Sequence, residues 1–215
     1  MHLIVADKRF NGFPTEAFEF FEQLALHNER AWLQEHKEIY ERACRDPMRQ
    51  LITELGGDVA RAHMTRINRD TRFSRDKAPY RTYIAAGVNA HYIHLSATAL
   101  YVGTGFYKPE AAVLARFRDA VDDKVSGPRP EKIATALRKK GYEVETHERL
   151  KSVPRGYAPD HPRIDLLRMK DIFGGRSFAR EPWLSTRRAL PRIHKAIDDT
   201  RPLADWVQAY VDPRR

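Results

Sequence analysis

Between Thr15 and Val59 apolar side chains return every three or four residues, and at His63 that period stops. Ala17, Phe20, Phe21 and Leu24 mark one amphipathic helix, with Glu16, Glu19 and Glu22 favouring the positive end of its dipole. Asn28 suits the cap of a second helix striped by Trp32, Leu33, His36, Ile39, Tyr40 and Ala43. Asp46-Pro47 reads as a restart, and Met48, Leu51, Ile52, Leu55 and Val59 carry an apolar face to Gly56-Gly57 and just beyond. From His63 the pattern predicts short strands near Met64–Arg69, Thr82–Ala90, Tyr92–Ser96 and Leu100–Gly103, joined as an antiparallel meander. Helical spacing returns after Pro109 (Val113, Leu114, Phe117, Val121) and Pro130 (Ile133, Ala134, Leu137), with Gly141 as a stop. A short strand is expected over 143–147, a Pro- and Gly-rich ordered loop or linker over 150–163, and a short helix or turn near Ile164 and Leu167. Another strand is expected after Gly174-Gly175, and the tail from Trp183 onward is expected to be mostly helical, with Leu190, Ile193 and Ile197, then Leu203, Trp206, Val207 and Tyr210 after Pro202. Helices, then strands, then helices describe a single α+β domain over residues 1–215.

Composition narrows the function classes. The chain is 42% hydrophobic and 31% charged, which is that of a soluble globular domain, and its apolar runs are far shorter than the roughly 20 residues of a spanning helix. Its first nine residues, Met1 to Arg9, lack the pattern of a secretory leader, and Cys44 is the sole cysteine. A lone cysteine excludes an internal disulfide and a multi-cysteine metal site, so a cytoplasmic protein is expected. Cys44 lies in a helix pattern and is expected to serve as a small apolar packer.

The net charge of +9 suggests an anionic partner, and its distribution says where to look. Residues 1–60 carry a net −4, 61–81 a net +5, 82–150 a net +2 and 151–215 a net +6. More than half the excess therefore sits in 21 consecutive residues. Within them Arg66, Arg69, Arg72, Arg75, Lys77 and Arg81 offer charge to phosphate or carboxylate, and Ser74 and Tyr80 offer hydroxyls. Asp70 and Asp76 would orient the guanidinium groups, bind a divalent cation or act as a base. A purely structural ion-pair network is the competing reading, and it predicts near-complete burial of Arg66, Arg69 and Arg72.

Arg66 to Thr82 closely resembles the signature of the domain of unknown function 2461 family. Asn28, Arg30, Trp32, Lys37 and Tyr40 resemble its N-terminal helix pattern, and Gly103, Gly105, Tyr107, Pro109 and Glu110 its second motif. Leu150-Lys151, Pro154, Gly156, His161-Pro162 and Leu166-Leu167 resemble a third. Leu33 stands where the family often has an aromatic residue. The resemblance implies membership and an α+β fold; it implies no catalytic residues and no cofactor.

In the second motif, the strand-to-helix turn with Gly103, Gly105 and Tyr107 fits either a second wall of an anion site or simple helix-start packing. It is neither a Walker loop nor a dinucleotide fingerprint. His161, between Asp160 and Pro162, reads as a turn residue more than a proton shuttle, while His91 and His94 would face opposite sides of a strand and hold no metal. Two functions follow. One is an Arg-rich pocket for a phosphorylated or polyanionic small ligand, with an enzyme acting on that ligand as its extended form. The other is nucleic-acid binding through residues 61–81 and the basic Arg187-Arg188-Arg192-Lys195 helix. Neither reading assigns a membrane partner, a cofactor or an oligomeric state.

Overall fold

The computed structural model describes residues 9–212. The expected absence of a secretory leader rests almost wholly on residues outside that range. In chain order the helices are α1 (Thr15–Leu26), α2 (Arg30–Glu35), α3 (Lys37–Ile39), α4 (Asp46–Glu54), α5 (Ala111–Asp122), α6 (Pro128–Lys139), α7 (Ile164–Leu167) and α8 (Ala189–Tyr210). The strands are β1 (His63–Met64), β2 (Tyr83–Val88), β3 (His91–Ser96), β4 (Ala99–Phe106), β5 (Glu143–Glu145) and β6 (Ile172–Ala179). They form one six-stranded antiparallel sheet in the order β1-β2-β3-β4-β6-β5, so the α+β expectation holds. The chain divides into two compact units, one running to Tyr101 and including Ser177–His194, the other comprising Val102–Arg176 and the chain from Lys195 onward. The 150–163 loop lies inside the second unit rather than at a boundary.

In the first unit α1 buries the expected face, Ala17, Phe20, Phe21 and Leu24, and Phe18 as well. The restart at Asp46 does not occur as a break. Tyr40–Arg45 is a π-helical segment that runs without interruption into α4, and Asp46 itself has helical angles. The wider turn places Tyr40, Ala43 and Cys44 on the buried side, and the Tyr40 and Phe20 rings lie 5.5 Å apart. Cys44 is the expected packer, and burial pushes its thiol well above the ordinary range. β2 and β3 are joined by Asn89 and Ala90, both with positive φ (47° and 63°), the twist a two-residue hairpin requires.

In the second unit the glycines Gly174 and Gly175 sit inside β6 rather than before it. A Cβ on Gly174 would lie 2.8 Å from Leu203 and 3.3 Å from Leu137, so the bare backbone is what lets those side chains seat against the strand. Pro202 likewise lies within α8 and starts no new helix. Phe117 meets Phe106 edge-on at 5.3 Å and Trp206 at 6.1 Å, and the Trp206 indole donates to the Ser126 carbonyl at 3.0 Å. The buried end of Asp199 receives Lys140 at 2.6 Å, Tyr142 at 2.8 Å and Lys195 at 3.0 Å. Burial alone would push this carboxyl up, but the three donors outweigh it and hold it at about 2.

A carboxyl depressed in the folded state stabilises above its unfolded value near 4 and loses that contribution as pH falls towards the folded value. Asp199→Asn is therefore expected to lower the melting temperature at pH 7. The gap from the parent should shrink between about pH 4 and about pH 2, as read by calorimetry across pH.

Candidate functional site

The 66–81 segment is a hairpin excursion of the first unit, and its root is pinched by backbone pairing. Thr65 N–H donates to the Ala85 carbonyl at 2.8 Å, Arg81 N–H to Ile67 at 2.8 Å, Arg69 N–H to Pro79 at 2.8 Å, and Asn68 bridges Tyr80. The expected strand Met64–Arg69 is therefore paired as a strand only over its first residue, with His63 added, and as a single bridge further on. Beyond the Arg69–Pro79 bond the two arms open into the turns between Thr71 and Ala78.

Asn28 departs from its expected role. The residue at the α2 cap position is Glu29, and the Asn28 side chain points instead at Tyr80. Its Nδ2 donates to the Tyr80 carbonyl at 3.0 Å, and its Oδ1 accepts from the Tyr80 N–H at 2.9 Å. One amide thus imitates a neighbouring strand and satisfies both polar groups of Tyr80.

The charged side chains sort into those that hold the loop and those it presents. Arg69 donates to Asp76 at 2.5 Å and reaches Ser74 at 3.4 Å, and its side chain is sheltered, 24% exposed. Arg81 donates to the Asn68 carbonyl at 2.5 Å and Lys77 to the Thr71 carbonyl at 3.1 Å. Arg72 grips Asp70 with two contacts, 3.0 and 2.7 Å, but stays 78% exposed. Arg66 and Arg75 are exposed and make no side-chain hydrogen bond or ion pair among the described residues. The Arg72 guanidinium lowers the Asp70 carboxyl below its usual range; for Asp76 the Ala78 N–H is the larger cause and Arg69 the next. The near-complete burial that a purely structural network requires is thus not met by Arg66 or Arg72. Phe73, which the charge pattern conceals, stands 94% exposed at the tip, with the Arg72 guanidinium 5.9 Å from its ring centre.

Gly103, Gly105 and Tyr107 belong to the second unit, at the end of β4 and the turn after it, whereas the hairpin belongs to the first. Gly103 is buried. Gly105, with φ 137°, is where β6 comes close: a Cβ there would sit 2.1 Å from the Ile172 carbonyl oxygen. Its freedom serves that approach. Tyr107 lines a cleft of about 550 Å³ with Lys108, Pro109, Leu114, His147, Glu148, Lys170 and Asp171. Lys170 pairs with Glu148 at 2.6 Å, and the Lys108 ammonium lies 5.1 Å from the Tyr107 ring centre.

His161 is the turn residue expected. Its Nδ1 accepts from the Arg163 N–H at 3.0 Å and its Nε2 meets Asp122 at 3.0 Å, so both ring nitrogens are occupied. Arg163 closes the end of α5 by donating to the carbonyls of Val121 at 2.6 Å and Asp122 at 2.9 Å. In the C-terminal basic run Arg187 is bound to Glu54 at 2.9 Å, Arg192 covers the Trp183 ring at 4.2 Å, and Lys195 is engaged with Asp199. No group of three or more His, Cys, Asp or Glu able to hold a metal occurs among the described residues, and no helix among them is long and apolar enough to cross a membrane.

The family described as conserved hypothetical protein (DUF2461) matches residues 16–206. No curated protein matches the chain.

Two substitutions test this geometry. Asn28→Ala leaves the Tyr80 pair without its partner and is expected to cost roughly 1–3 kcal/mol in urea unfolding. It should also speed tryptic cleavage at Arg72, Arg75 and Lys77. Gly105→Ala, forced against the Ile172 carbonyl at a positive φ, is expected to cost at least roughly 1–3 kcal/mol.

Proposed function

Since the chain belongs to the DUF2461 family of conserved hypothetical proteins, its chemistry has to be argued from its side chains, and we propose that its hairpin binds a polyanion, single-stranded nucleic acid, in the cytoplasm. The observation that carries this reading is Phe73, 94% exposed at the hairpin tip beside Arg72, in a segment where Arg66 and Arg75 are exposed as well. A ring beside a guanidinium matches an unstacked base with a phosphate next to it, the ring by stacking and the cation by charge. Arg69, Arg81 and Lys77 fix the backbone beneath, so the presented groups lose little freedom on binding.

An open, cation-lined tip supports an extended ligand over an enclosed small one. Asp70, Arg72, Arg75, Asp76 and Lys77 are all exposed, and none of them lines the cleft of the second unit. The basic run from Arg187 to Lys195 adds little to this reading, because Arg187 and Lys195 already have carboxylate partners. The lone, buried Cys44 suits a reducing compartment.

Fluorescence anisotropy with a labelled oligothymidylate tests the reading. Binding should weaken steeply with salt, and Arg75→Ala should reduce the logarithmic salt slope by about 0.7 per lost phosphate contact. Phe73→Ala should weaken binding about tenfold, within the range for one stacked base. Equal affinity of the parent and Phe73→Ala, or no salt dependence, would refute it.

A further inference from the structure

The cleft of the second unit holds a histidine whose ring pairs with a buried carboxylate on one side and is open on the other. Asp171 is 3% exposed, and its Oδ1 accepts from the Thr146 hydroxyl at 2.8 Å and the His147 N–H at 2.8 Å. Its Oδ2 lies 3.2 Å from His147 Nδ1. A carboxylate only accepts, so Nδ1 carries the proton and Nε2 keeps a lone pair. Nε2 makes no hydrogen bond among the described residues, and the imidazole is half exposed on the cleft. The ring is also fixed sideways, with Tyr107 edge-on at 4.6 Å and Phe173 at 4.4 Å. His161 provides the contrast, because its carboxylate partner leaves it no open nitrogen.

A carboxylate that fixes the tautomer, two rings that fix the plane and one open basic nitrogen are the parts of a general base held ready for use. Among the residues that line the cleft there is no Ser, Thr or Cys to act as a nucleophile. Tyr107 stands edge-on to the imidazole and is hydrogen-bonded to Lys108, so the open nitrogen is placed to act on water. Lys170 pairs directly with Glu148 at 2.6 Å, whereas Lys108 is hydrogen-bonded to Tyr107 and feels Glu148 only at longer range, so the Lys108 ammonium is the one on the cleft without a direct carboxylate contact.

We propose that this cleft is a hydrolytic site for a small phosphate ester, with His147 as the base, Asp171 as its positioning residue and Lys108 as the anchor for a phosphate oxygen. His147 Nε2 takes a proton from water as the water oxygen bonds to phosphorus. The phosphorus–oxygen ester bond then breaks, and the proton on Nε2 passes to the departing oxygen. Water is the only co-reactant, and the imidazole is regenerated. The charged and titratable groups around the ring are Asp171, Tyr107, Lys108, Glu148 and Lys170. This site shares no residue with the hairpin and stands or falls separately from the nucleic-acid reading.

The test uses p-nitrophenyl phosphate and bis(p-nitrophenyl) phosphate with the full chain. The parent should release nitrophenolate from at least one of the two esters. His147→Gln, which alters a half-exposed side chain, should keep its circular dichroism and lose roughly 100-fold or more of the rate. Lys108→Ala should raise KM more than it lowers kcat, and Asp171→Asn, which no longer fixes the His147 tautomer, should lower kcat with KM little changed. Turnover of neither ester by the parent, or a folded His147→Gln protein as active as the parent, overturns the proposal.

Discussion

Tyr80 closes the 66–81 hairpin with its backbone, and one side-chain amide holds that closure. Asn28 gives Tyr80 a donor and an acceptor at once, replacing the strand that is missing on that side. The arrangement depends on both hydrogen bonds, because a half-satisfied backbone pair would leave a polar group without a partner. Above that pinch the loop can spend its other charges on presentation. Arg69 with Asp76, Arg81 with the Asn68 carbonyl and Lys77 with the Thr71 carbonyl stabilise the turn, and Arg66, Arg72, Arg75 and Phe73 remain in water.

A structural network and a binding surface are therefore not exclusive descriptions of this segment. Two carboxylates cannot neutralise six cations, and the two pairings go to Arg69 and Arg72. Exposed ion pairs contribute little to stability, which fits a role in orienting the guanidinium groups more than in holding the fold. The second motif has a different use of its glycine. Gly105 lets β6 approach the end of β4, and the residues at the start of β6 and after β4 then border one cleft.

The main helices and the β1-to-β4 meander were legible because spacing and turn residues mark them locally, whereas the place of β6 beside β4 was not. α1, the β2–β3 hairpin and Gly141 at the end of α6 follow from spacing and turn residues alone. The π segment at Tyr40–Arg45 was not, because a widened turn keeps the same apolar stripe and gives no break in pattern. Gly174-Gly175 and Pro202 resemble interruptions, yet packing against Leu203 and the continuity of α8 override those local preferences. The charge count located the hairpin but missed its aromatic tip, since Phe73 among arginines reads locally as an ordinary core candidate. His147 and Asp171 stand 24 residues apart and meet only through the fold. Asn28, similarly, carries the local signature of a helix cap, and only the tertiary structure brings it to Tyr80.

The central claim is that the hairpin tip is where a polyanion lands. Amide chemical-shift mapping during titration with oligothymidylate measures this most directly. Shifts concentrated between Arg66 and Arg81, with the largest near Phe73, are expected. Shifts that leave this segment unmoved, or that cluster elsewhere in the chain, would contradict it.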